Sequence, residues 1–154
     1  MSSLKAFQVA AELAERQRDA ARQTLKDVQA ALQAAQAQLE QLAGYAGETQ
    51  GRWGMREGAE VQPEVMYHHY QFMGRLDHAI SLQTGAVSAQ DARVEQARQA
   101  LLAAELRLAS LRKVLERRRA ELALLQQRRE QKQTDERAAL RAARAQGAMP
   151  DQEH

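Results

Sequence analysis

Apolar or small residues recur at Leu4, Phe7, Ala11, Ala14, Ala21, Leu25, Val28, Leu32, Ala35, Leu39 and Leu42, a three-four alternation broken at Arg18. That spacing lines one side of an α-helix and is the a/d seam of a coiled coil. A second seam runs through Met73, Leu76, Ile80, Val87, Val94, Ala97, Leu101, Ala104, Leu108, Leu111, Leu115, Leu122 and Leu125, with Gln83, Gln90 and Arg118 as its polar interruptions. Each stripe is too narrow to build a core alone, so each is expected to cover the other. Between them lies GETQGRWGMREGAEVQPE, where Gly47, Gly51, Gly54, Gly58 and Pro63 break helix and let the chain reverse.

The pattern therefore predicts an all-α fold, two long helices in an antiparallel coiled-coil hairpin, with helix two extending beyond helix one. As a single coiled-coil domain, it places helix one at about residues 3–50, the turn at about 51–63, helix two at about 64–146 and a disordered tail at 147–154. Ser2 or Ser3 suits the first N-cap, Pro63 the first turn of helix two, and Gly147 with Pro150 its end. A reversal near Gly58 to Gln62 sets residue i opposite roughly 120 minus i, which brings Leu4 to the neighbourhood of Glu116. Helix two then continues for roughly 30 residues, or ~45 Å, without a partner. Its seam positions there become Arg118, Arg129, Lys132 and Glu136, as expected of an uncovered stripe. Two chains pairing with each other could also satisfy both seams, but the intramolecular hairpin has the lower closure cost.

Composition supports helix: the apolar content is mostly Ala and Leu, with few Val, Ile or Thr for a sheet. There is no cysteine, which removes disulfides and thiol chemistry. Charges interrupt the first residues before any apolar run develops, and nowhere do 18 apolar residues follow one another, so a soluble, cytoplasmic protein without signal peptide or membrane insertion is expected. Charge is unevenly placed. Leu4 to Trp53 balances its acids and bases, whereas Arg112 to Arg144 holds eleven basic residues against five acidic ones, a pattern suited to an acidic partner.

Five of the six aromatic residues, Tyr45, Trp53, Tyr67, Tyr70 and Phe72, gather around the turn with Met55, Met66 and Met73. They form either a minicore that caps the turn or a protein-binding tip. Seven of the eight glycines fall between Gly44 and Gly85, marking the same end as the more mobile one. The basic segment of helix two could meet nucleic-acid phosphates. However, Arg117, Arg118 and Arg119 point to three sides of a helix, and Glu116, Glu121 and Glu130 interrupt the charge, so no nucleic-acid partner is expected. His68, His69 and His78 lack the i, i+4 spacing that converges imidazoles on a metal. No P-loop, GxSxG or HExxH pattern occurs, and no enzyme, metal or cofactor is expected.

Three segments carry a family resemblance: QLEQLAGYAGE closing helix one, YQF and LDHAI opening helix two, and QKQTDERAA near the C-terminus. In that order around one turn the chain resembles FliJ, the small coiled-coil component of the bacterial flagellar type III export apparatus. The resemblance implies an antiparallel coiled coil similar to the γ stalk of rotary ATP synthases. Such a protein enters the hexameric export ATPase and promotes its assembly and activity. It also binds the cytosolic domain of the membrane export gate and helps recycle export chaperones, which would hold it peripherally at the inner face of the cell membrane. The end with both termini would enter the ring, and basic residues near Arg117, Arg118, Arg119, Arg128 and Arg129 would contact it. The positions matching the family's gate-binding surface are Gln38, Leu42, Tyr45, Phe72, Leu76 and Ala79. Thr49 and Gln83 depart from that pattern, and Gly44 and Gly47, each less favourable than Ala in a helix by roughly 1 kcal/mol, predict an early end to helix one. A generic scaffold or secretion chaperone is the alternative.

Overall fold

A computed structural model describes residues 2–54 and 62–147. They form a helical hairpin of two long α-helices, α1 (Ser2–Gly54) and α2 (Pro63–Gly147). Gln62 opens α2: its carbonyl oxygen accepts the backbone N–H groups of Val65 at 3.0 Å and Met66 at 3.2 Å, and Pro63 occupies the first position, where no N–H is needed. The expected turn lies largely, and the expected tail almost wholly, outside the described residues.

Helix α1 does not end early. It continues through Gly44, Gly47 and Gly51 to Gly54. Beyond Leu42 the seam goes on as Ala46, Thr49 and Trp53, all half-buried. Their packing outweighs the glycine penalty of roughly 1 kcal/mol per residue.

The chain divides into two units, residues 15–106 and residues 1–14 with 107–154. In the first, the seam is formed by half-buried Ala21, Leu25, Val28, Leu32, Ala35, Leu39 and Leu42 of α1 and by α2 residues among which Leu76, Val94 and Ala97 are buried. The register is antiparallel: Gln83 Nε2 donates to the Ala35 carbonyl oxygen at 2.9 Å, within a turn of the expected pairing. Arg18, the break in the first seam, keeps its side chain mostly covered. Its guanidinium is neutralised within its own helix by Asp19 at 2.9 Å and Glu15 at 3.7 Å. Across the helices Arg22 meets Glu105 at 3.9 Å, an exposed pair that contributes little.

In the second unit Ala11 and Ala14 of α1 and Leu108 and Leu115 of α2 are buried. Leu4 lies near the expected neighbourhood of Glu116 but displaced along α2: it shares a groove with Arg118, Leu122 and Leu125, from about half a turn to two and a half turns past Glu116. Helical side chains tilt toward their own N-terminus. In an antiparallel pair this carries Leu4 toward higher numbers on α2 and brings Leu122 back to meet it. From Glu116 to Gly147 every residue of α2 is exposed.

Candidate functional site

In the unit that contains the turn, the aromatic residues pair off. Trp53 and His69, both half-buried, stack with ring centroids 3.9 Å apart and planes 7° from parallel. His69 thus belongs to this packing, while His68 and His78 are exposed, and no group of three or more potential metal ligands forms among the described residues. Tyr45 meets Phe72 edge-on at 6.0 Å and 86°, the geometry aromatic quadrupoles favour. Tyr67 Oη accepts a hydrogen bond from Gln71 Nε2 at 2.9 Å.

Minicore and exposed tip are both present here. Trp53, His69 and Met73 are half-buried, whereas Tyr45, Tyr67, Tyr70 and Phe72 remain 51%, 60%, 66% and 39% exposed. Met55 lies outside the described residues. Two helices have only one mutual face, so side chains flanking the seam cannot be covered.

The six gate-patch positions divide accordingly. Tyr45 and Phe72 touch and are exposed, and Gln38 is exposed on α1. Leu42 and Ala79 are half-buried, and Leu76 is buried in the interhelical core. Leu42 and Leu76 occupy seam positions, so they hold the helices together beneath whatever surface Tyr45 and Phe72 present. Thr49 and Gln83 are seam residues too, with Gln83 committed to the Ala35 carbonyl.

In the unit that contains the termini, Arg117, Arg118, Arg119, Arg128 and Arg129 are all exposed. Arg118 differs from the others, since its guanidinium lies 5.4 Å from the ring centroid of Phe7, a cation–π contact that clamps the start of α1 to α2. Arg129 lines an open groove of about 590 Å³ with Leu4, Leu122, Leu125, Gln126 and Glu130. Composition and charge did not signal this groove. What could have signalled it is the seam itself, whose leucines at 122 and 125 run past the point where α1 begins.

No helix among the described residues is long and apolar enough to cross a membrane.

Comparison with known proteins gives a family. The sequence profile of the family described as Flagellar FliJ protein matches residues 3–147. No curated protein matches the chain significantly. Among solved structures, one described as a YscO homologue from Chlamydia trachomatis is similar in fold, with a TM-score of 0.69 and 17% identity over 97% of this chain and 96% of that one.

Proposed function

Because the chain belongs to the flagellar FliJ family, and so is a component of the bacterial flagellar export apparatus, we propose that it serves there as a non-enzymatic stalk. The unit with the termini engages the hexameric export ATPase and promotes its assembly and turnover. The unit with the turn engages the cytosolic domain of the membrane export gate, so the protein sits peripherally at the inner face of the membrane. Export chaperones are further partners.

The observation that carries this reading is the bare helix from Glu116 to Gly147. A helix exposed on every side buries no apolar face of its own, and most helical stability in proteins comes from such burial. It bears nine basic residues against five acidic ones, which suits an acidic cavity. Charge of this kind speeds and orients docking. Arg117, Arg119, Arg128 and Arg129 are the residues available for it, while Arg118 is already engaged by Phe7. In the unit with the turn, Tyr45 and Phe72 are the apolar anchors, since exposed aromatics dominate interface energies.

Purified protein mixed with the cognate ATPase tests the first contact. Ring formation and faster ATP turnover are expected, and no change in either would refute it. Tyr45→Ala and Phe72→Ala test the second: each should weaken binding of the gate domain by about tenfold. Undiminished binding would remove the gate from the proposal. Leu76→Ala is unsuitable, because it disrupts the core before it touches any partner.

A further inference from the structure

We infer that the groove beside Leu122, Leu125 and Arg129 is a seat for one helix of the protein bound at this end, a helix that is apolar on its first seam step and acidic on the next. This deepens the ring contact proposed above and rests on that reading only for the source of the helix, the export ATPase.

Three observations carry it. The first is continuity: the a/d stripe of α2 does not stop where α1 begins but runs on through Leu122 and Leu125. These two leucines are 39% and 50% exposed, although they occupy the positions that are buried or half-buried wherever α1 lies alongside. The second is shape. The groove of about 590 Å³ is walled at one end by Leu4 and follows α2 as far as Gln133. From Leu122 that is about three turns, or roughly 17 Å. Lining residues three and four apart along one helix make a ridged face against which a second helix can lie.

The third observation is charge. The seam steps after Leu125 are Arg129, which lines the groove, and Lys132, exposed further along the same stripe; the acidic step, Glu136, comes a turn later, past the last residue of the groove. Two cations at core positions reject an all-leucine partner and accept one with carboxylates there, the device by which coiled coils choose partners. Glu130, also on the groove, stands at a b position outside the seam and does not reverse this preference. Arg118 takes no part, since Phe7 occupies it. A second copy of this chain pairing in parallel fits poorly, because it would set Arg129 against Arg129 and Lys132 against Lys132.

The test uses the full chain and a fluorescein-labelled helical peptide of about three heptads. It carries Leu where it would face Leu122 and Leu125 and Glu where it would face Arg129 and Lys132. A twin peptide carries Lys in place of those two Glu. With peptide at nanomolar concentration and protein titrated, anisotropy should show the acidic peptide binding about tenfold or more tightly than its twin. Leu122→Ala with Leu125→Ala, and separately Arg129→Glu, should remove that binding. All three side chains are exposed, so helix content by circular dichroism should not change.

Equal binding of the two peptides, no binding of either, or binding indifferent to these substitutions would overturn the inference. So would sedimentation showing a dimer that Leu125→Ala dissociates, since the groove would then be filled by a second copy. ATPase stimulation measured on the same variants separates the two claims. Peptide binding without stimulation by the unaltered protein refutes the ring reading alone. Stimulation that survives both substitutions refutes the helical seat alone.

Discussion

Glycine inside a regular helix is a weakness that the structure allows to be measured. Gly44, Gly47 and Gly51 in α1 and Gly74 and Gly85 in α2 all lie within helix. None of the described glycines has a positive φ, and a Cβ added at any of these five meets nothing within 4 Å. Alanine therefore fits each site without strain, and its benefit is the backbone freedom removed from the unfolded chain, about 0.5–1 kcal/mol per site. Summed over the five sites this is roughly 2.5–5 kcal/mol for the fivefold variant. For a chain of 154 residues, each kcal/mol moves the melting midpoint by roughly 2–4 °C, giving a rise of roughly 5–20 °C. Thermal unfolding followed by circular dichroism at 222 nm reads this directly, with Gly147→Ala at the frayed helix end as a control that should change little. An unchanged or lowered midpoint would refute the reasoning, because it would mean that these glycines are not held in continuous helix in solution.

Other substitutions test the seam itself. Leu108, 2% exposed, should cost about 2–5 kcal/mol when replaced by Ala, while its neighbour Leu106, 61% exposed, should cost less than about 0.5 in the same urea titration; equal losses would mean that the seam is placed wrongly. Gln90 sits in the seam with a buried Oε1 that has no hydrogen-bond partner, so Gln90→Leu should stabilise the protein by about 1–3 kcal/mol. A destabilised Gln90→Leu would show that this amide is satisfied and holds the register. Phe7→Ala removes the platform under Arg118 and should speed amide hydrogen exchange over residues 3–10, leaving α2 beyond Leu125 unchanged; protection that persists over residues 3–10 would refute the clamp.

The helices and their pairing were legible because one rule decides them. With a strict three-four period, every seam position expected in α1 is buried or half-buried, including Arg18, and so is every one expected in α2 from Met73 to Leu115. Helix propensity was the weaker guide. Gly44 and Gly47 predict an early end only if local preference acts alone, and the packing of Ala46, Thr49 and Trp53 overrides it. Contact geometry near Leu4 was not legible either, since counting residues ignores the tilt of side chains along a helix.

The candidate surfaces show where such a rule must be followed through. Leu76 was expected both in the seam and in a binding patch, and a two-helix coil lets one side chain do only one of these. Its 8% exposure assigns it to the seam, which leaves the flanking Tyr45 and Phe72 as the exposed pair. The same reasoning separates Arg118 from Arg117 and Arg119: a cation on the seam lies over the Phe7 ring, although it stays exposed, while its neighbours in sequence sit on other sides of the helix. In a coiled coil, then, positions off the seam recognise partners and positions on it hold the helices together, except where the second helix is missing. There the seam residues Leu122, Leu125 and Arg129 become the surface, and the stripe that elsewhere specifies folding is free to specify binding.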